Sequence, residues 1–196
     1  MESWLLDFFV LHDQAMQKFN TRIPIVGVMG SGTKAHQDKA QLVGRWLAEA
    51  GVHLLTGGGG GIMASVSRAF HEVSSRRGLV LGIIPGEATP RGYATYNGYP
   101  NQWVEVPIFT HLPYSGLRGT DILSRNHINV LSSDVIIALP GSAGTASEII
   151  LAKLYNKPLI AYLSDPSDIE SLPPSTPFET DFKNIKKFVR QVLDYF

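Results

Sequence analysis

Cysteine is absent from this chain of 196 residues. Its absence removes disulfide frameworks, thiolate zinc sites and cysteine nucleophiles, and makes a reducing cytoplasm the expected compartment. Charge is scarce, at 17% of residues, and neither sign prevails, because 17 Lys and Arg stand against 17 Asp and Glu. Such a balance provides no electrostatic footprint for a nucleic-acid duplex or an anionic membrane, so neither is expected as a partner. No apolar run approaches the ~20 residues of a membrane span. The apolar cluster of Leu5, Leu6, Phe8, Phe9, Val10 and Leu11 is interrupted by Asp7 and has neither a basic leader nor a small-residue cleavage site, so it reads as a helix and not as a signal. A sparsely charged surface fits one partly hidden in an oligomer, and a homodimer or homotetramer is expected.

Hydrophobic residues make up 44% of the chain, enough for one domain with a sizeable core. Short β-branched runs alternate with longer amphipathic stretches, the pattern of a parallel sheet with crossover helices. The expected fold is a single α/β domain over residues 22–196, a doubly wound, Rossmann-like parallel sheet with helices on both faces, preceded by an N-terminal helical arm over residues 1–21. Strands are expected over 23–29, 52–56, 79–84, 103–109, 135–139 and 158–163, and helices over 37–50, 62–75, 121–132 and 144–154. A terminal helix carries Phe182, Ile185, Val189 and Val192 after a Pro-rich linker over 171–177. Residues 87–102, rich in Gly, Pro, Asn and Tyr, read as a long surface loop, with a lid as one reading. A second loop is expected over 111–119.

Three strand-to-helix turns carry clustered small residues: Gly30, Ser31 and Gly32; Gly57, Gly58, Gly59, Gly60 and Gly61; and Pro140, Gly141, Ser142, Ala143, Gly144 and Thr145. In a parallel sheet such turns lie at the carboxyl edge, where ligands of open α/β folds bind. Helix N-termini there present unpaired N–H groups and partial positive charge, and glycines let an anion approach them. A phosphate is the expected guest. No turn continues into the Gly-Lys-Ser/Thr of a P-loop or completes G-x-G-x-x-G, which disfavours a triphosphate motor and a dehydrogenase.

Arg125 and Glu148 flank the third turn, so an arginine fork for phosphate could share a pocket with a carboxylate acting as general acid or base. An equally open reading pairs Arg125 with Asp121 on the surface and lets Glu148 complement its helix dipole. Asn126 and Asn129 add neutral polar groups. The six histidines are scattered without ligand spacing, so no metal is expected. Tyr93, Tyr96, Tyr99, Trp103 and Tyr114 crowd the two middle loops and could stack on a planar ring.

The segment SRNHINVLSSDVIIALPGSAGTASEI over residues 124–149 resembles the signature of the LOG-type Rossmann proteins, the so-called lysine decarboxylases. Their pattern P-G-G-x-G-T-x-x-E is matched by Pro140-Gly141-Ser142-Ala143-Gly144-Thr145-Ala146-Ser147-Glu148, with Arg125 at the corresponding distance upstream. A glycine run closed by Ile62 and Met63, and Pro85-Gly86 at a strand end, extend the resemblance over residues 23–163. In the cytokinin-activating branch the resemblance implies N-glycosidic cleavage of nucleoside 5′-monophosphates, with Arg125 and Glu148 as the catalytic pair. In the molybdenum cofactor carrier branch it implies binding without hydrolysis. Asn126 replaces the usual lysine, Ser142 replaces the second glycine, and the first glycine run is one residue short. The resemblance is therefore closer to the carrier branch. It implies a bound nucleotide or molybdopterin-type cofactor contacting Gly30, Ser31, Gly32, Gly57, Gly58, Gly59, Gly60, Gly61, Met63, Asn126, Asn129 and the turn from Pro140 to Thr145.

Overall fold

The computed structural model describes residues 22–194; the expected N-terminal arm over 1–21 lies outside them. Seven parallel strands form one sheet: β1 (Ile25–Met29), β2 (His53–Thr56), β3 (Val80–Ile84), β6 (Val106–Phe109), β7 (Val135–Ala138), β8 (Leu159–Tyr162) and β9 (Phe178–Glu179). Their order is β6-β3-β2-β1-β7-β8-β9. The chain steps outward from β1 through β2 and β3 to β6, then crosses to β7 on the other side of β1 and steps outward again. The order reverses between β1 and β7, which pair Val26 with Val135 and Met29 with Ala138. At such a reversal the connections leave toward opposite faces and a crevice opens beyond the strand ends.

Alternation along the strands builds two cores. Val26 and Val28 of β1, with Val135 and Ile137 of β7, face one side, whereas Met29, Ile136 and Ala138 face the other. On the first side pack α1 (Gln37–Glu49), through Val43 and Leu47, α2 (Gly61–His71), through Ile62, Val66 and Phe70, and α5 (Phe182–Leu193), through Ile185 and Val189. On the second side lie α3 (Asn126–Leu131) and α4 (Ala143–Leu154), which contribute Val130, Ala146, Ile149 and Ala152. These five helices on two faces are the doubly wound arrangement that the strand and helix alternation implied. Helix boundaries follow local chemistry. Gly51 sits at φ 75 just after α1, the left-handed position that ends helices. Asp181 accepts the Lys183 amide at 2.8 Å to open α5.

Three elements differ from expectation. Within residues 87–102, β4 (Gly86–Thr89) and β5 (Gly92–Thr95) form an antiparallel hairpin, closed where the Thr89 hydroxyl donates to the Gly92 carbonyl at 2.7 Å. Each arm is only four residues long, and the Gly and Pro content conceals its alternation. The Pro-rich linker delivers the two-residue strand β9, which joins β8 beyond the last strand expected. The helix expected over 121–132 spans only Asn126–Leu131. Before it, side chains of Asp121 and Ser124 accept the amides of Leu123 and Asn126, at 3.0 and 3.2 Å, and hold the chain in turns.

Helices α1 and α2 cross at Gly44, where an added Cβ would stand 2.5 Å from the Val66 carbonyl oxygen. Backbone cannot yield as a side-chain tip can, so Gly44→Ala is expected to destabilise the fold by about 1–3 kcal/mol. Urea unfolding should show a lower midpoint with unchanged slope.

Candidate functional site

The main chain of Ser31 ties the three small-residue turns together. Its amide donates to the Pro140 carbonyl at 3.0 Å, and its carbonyl accepts the Ile62 amide at 2.8 Å. The turn after β1 thereby bridges the turn after β7 and the first turn of α2. The three turns converge at the reversal point on a cavity of about 230 Å³.

The cavity wall draws on every region that the sequence singled out. Gly30, Gly32, Gly57, Met63, Asn126, Ser142, Gly144 and Thr145 line it together with Arg125 and Glu148. Ser31, Gly58, Gly59, Gly60, Gly61, Asn129, Pro140, Gly141 and Ala143 are not among the lining residues. Several of these are engaged in the scaffold. The Gly58 amide donates to the Thr56 hydroxyl at 3.1 Å, and the Gly141 amide to the Asp168 carbonyl at 2.9 Å. Asn101 closes on the carbonyls of Gly58 and Gly59, through its amide at 2.7 Å and its side chain at 2.9 Å. The start of α2 is partly consumed by Ser31. The start of α4 is different: Ser142 at its N-cap makes no side-chain capping bond, and Ser142, Gly144 and Thr145 face the cavity. First-turn N–H groups have no partner within a helix, so the start of α4 can offer amides to an anion.

Arg125 stands at the start of α3 and is buried, 4% exposed. Its guanidinium lies against Gly57, where any Cβ would overlap it. The glycine gives the second turn room for this side chain as it is placed. Its Nε and Nη1 are sealed from solvent without a hydrogen-bond partner among the described residues, as is the Thr145 hydroxyl. The alternative surface pairing is not formed, because Asp121 is bonded to Arg118 at 2.7 Å. Glu148 on α4 is also buried, 8% exposed. Burial pushes its carboxyl above the usual carboxylate range, opposed by the positive charge of Arg125 and a hydrogen bond from Asn129. That bond runs from Nδ2 to Oε1 at 2.8 Å. Asn126 donates to the Ser147 hydroxyl at 3.1 Å, which donates in turn to the Gly144 carbonyl at 2.7 Å, bracing the first turn of α4.

The wall also takes in residues beyond the glycine turns and the polar pair, among them Val28, Met29 and Thr33. Tyr99 reaches the cavity from the loop after β5, with its ring centroid 6.0 Å from the Arg125 guanidinium carbon. Its ring leans on Gly59, where a Cβ would stand 2.7 Å from it. Ser115 and Gly116 enter from the second middle loop. The crowding of aromatics marked Tyr99 as a candidate for stacking; nothing in its local sequence separates it from Tyr93, which packs edge-on to Phe109 and His111. His127, two positions beyond Arg125, bonds the Tyr155 hydroxyl at 2.7 Å and the Asp121 carbonyl at 3.0 Å. Among the described residues no group of three His, Asp or Glu side chains could hold a metal ion.

The raised carboxyl fixes the sign of a pH effect. Glu148 stabilises the fold most fully below the unfolded carboxylate pKa, and that contribution is lost as pH rises through its higher folded value. Removing Arg125 takes away the charge that restrains this rise. The stability of Arg125→Met relative to the native chain is therefore expected to be lower at pH 8 than at pH 5. Denaturant titrations at the two pH values read this, and a pH-independent difference would refute it.

Known proteins match both the sheet and the sequence around this cavity. The SLOG cluster4 family matches residues 23–186. An uncharacterized protein of Archaeoglobus fulgidus is 31% identical over 149 residues, covering 75% of this chain and 84% of its own. The rice cytokinin riboside 5′-monophosphate phosphoribohydrolase LOG is 32% identical over 132 residues, 66% of this chain, and the match spans about half of that enzyme, 47%. Among solved structures, the molybdenum cofactor binding protein of the phototrophic bacterium Rippkaea orientalis superposes with a TM-score of 0.68 at 29% identity, covering 89% of this chain and 99% of that one. The Moco carrier protein of Chlamydomonas reinhardtii superposes with a TM-score of 0.65 at 29% identity, over 89% and 100%. The chain belongs to the SLOG cluster4 family, within the LOG-type Rossmann superfamily and near its molybdenum cofactor carrier branch.

Proposed function

We propose that this protein binds a phosphorylated, planar-ringed ligand of the molybdopterin or nucleoside-monophosphate kind and works as a carrier in the cytoplasm. The observation that carries this reading is the buried Arg125, which lines one cavity together with the uncapped start of α4. A fixed cation and free amides together select a compact dianion such as a phosphate monoester. The volume of about 230 Å³ is below the ~300–1,000 Å³ of sites that enclose a drug-sized ligand. It suits a phosphate and one ring, with a larger ligand emerging at the mouth. Similarity to molybdenum cofactor binding and carrier proteins favours a pterin ring. Exposed apolar side chains, among them Leu117, Ile122 and Leu154, fit a homodimer or homotetramer.

A second reading, a nucleoside 5′-monophosphate phosphoribohydrolase, is favoured by Glu148. A buried carboxyl with a raised pKa, lining the cavity beside Arg125, is suited to protonating a leaving base. The departures at Asn126 and Ser142 and the similarity to carriers weigh toward binding alone.

Calorimetry with inorganic phosphate, AMP and a molybdopterin-containing extract fraction, alongside chromatography for free base released from AMP and N6-substituted AMP, separates the readings. Saturable binding without release is expected, with affinity lowered about 10–100-fold in Arg125→Ala, the worth of a hydrogen bond to a charged group. Base release that is abolished in Glu148→Gln would establish the hydrolase instead.

A further inference from the structure

Glu148 presents two oxygens in different circumstances. Oε1 accepts the Asn129 amide at 2.8 Å. Among the described residues Oε2 has no hydrogen-bond partner, yet it is not among the sealed unpartnered atoms, so it is open to the cavity that Glu148 lines. Asn129 itself is fully buried and does not reach that cavity. It stands one helical turn after Arg125 on α3, and its own amide closes on the Arg125 carbonyl at 3.1 Å. Positions i and i+4 share a helix face, so a single turn of α3 directs both a cation and a neutral amide at one carboxyl on α4. The Asn129 main-chain carbonyl is held by the Ser133 hydroxyl at 2.8 Å, which anchors the end of that turn, while its side-chain Oδ1 is buried with no partner among the described residues.

We infer that Asn129 is a positioning residue that occupies Oε1 and so leaves Oε2 as the oxygen on which Glu148 carries its proton, making the carboxyl a directed hydrogen-bond donor to an acceptor atom on the ligand's ring. The step follows from what each group can do. An amide N–H is a donor only, so the oxygen that faces it must accept. A proton on Oε1 would set hydrogen against hydrogen, whereas a proton on Oε2 meets nothing but the cavity. Burial favours the neutral acid. The charged and polar groups that bear on this carboxyl are Arg125 and Asn129, both from α3. A neutral donor recognises an uncharged acceptor, so the ligand class is a heterocycle with a ring nitrogen or carbonyl oxygen directed inward, a feature shared by pterins and purines. This specification rests on the phosphate-site reading above and sharpens it.

The test is carbonyl infrared titration of the intact chain, with Glu148→Gln assigning the Glu148 band, together with AMP affinity across pH. In the native chain the protonated Glu148 band is expected to persist above the ordinary carboxylate range, and AMP is expected to bind more weakly as the band is lost. Asn129→Leu removes the donor that favours the carboxylate, so the band midpoint and the pH limit of AMP binding are both expected to move upward, by about one unit. Asn129→Asp keeps the shape and sets a second carboxyl against the first, with the same direction expected if the leucine variant does not fold. An unmoved midpoint in a folded variant would overturn the inference, as would AMP affinity that ignores the midpoint. Inorganic phosphate, which has no ring, tests the underlying site separately. Failure of phosphate to bind the native chain would remove the phosphate reading while leaving the Asn129 shift as measured.

Discussion

A buried guanidinium and a buried carboxyl face one cavity without forming an ion pair, and the surrounding structure is arranged around that separation. Arg125 and Glu148 are nearly inaccessible, and neither appears in a direct salt bridge among the described residues. Charges withdrawn from water destabilise a fold unless partners compensate. Here compensation is incomplete by construction: Glu148 is drawn toward its neutral form, Asn129 satisfies one of its oxygens, and two nitrogens of Arg125 stay unpartnered. Incompletely compensated charged groups at the carboxyl edge of a parallel sheet mark a candidate functional site.

Rigidity at this point comes from main-chain bonds and from the absence of side chains. Ser31 joins the three turns through its amide and carbonyl, so the start of α4, the start of α2 and the end of β1 hold fixed relative positions. Gly57 leaves space that the Arg125 guanidinium fills, and Gly59 leaves space for Tyr99. The glycine run therefore acts less as a cradle for an anion than as a recess for two side chains that come from elsewhere. Its Gly58 amide and its Gly58 and Gly59 carbonyls serve the scaffold. Preorganisation of this kind lowers the entropy that binding would otherwise have to overcome.

Much of this was legible along the chain. Alternating β-branched runs and amphipathic stretches specify a parallel sheet with helices on both faces, because period 2 and period 3.6 place apolar side chains on different surfaces. The spacing of Arg125 to Glu148 across a strand and a glycine turn marks both as neighbours of one strand end. Illegible were the short elements, such as the hairpin in residues 86–95 and the strand Phe178–Glu179, whose few residues carry no periodicity of their own. Also illegible was the fate of individual amides. Gly58 and Gly141 look like anion donors in sequence, yet Thr56 and Asp168 take them in the fold.

Residue order alone determined the α/β class, the three small-residue turns and the polar pair, since these depend on local periodicity, on backbone freedom at glycine and on side-chain chemistry carried by each position. Tertiary structure decided that Gly58 and Gly141 spend their amides on the scaffold, that Arg125 points inward against Gly57 and not outward to Asp121, and that Asn129 addresses Glu148 and not the cavity. Those outcomes turn on contacts between residues far apart in the chain. A hydrogen-bonding group takes whichever partner the packing brings within about 3 Å, and no local pattern encodes that distance.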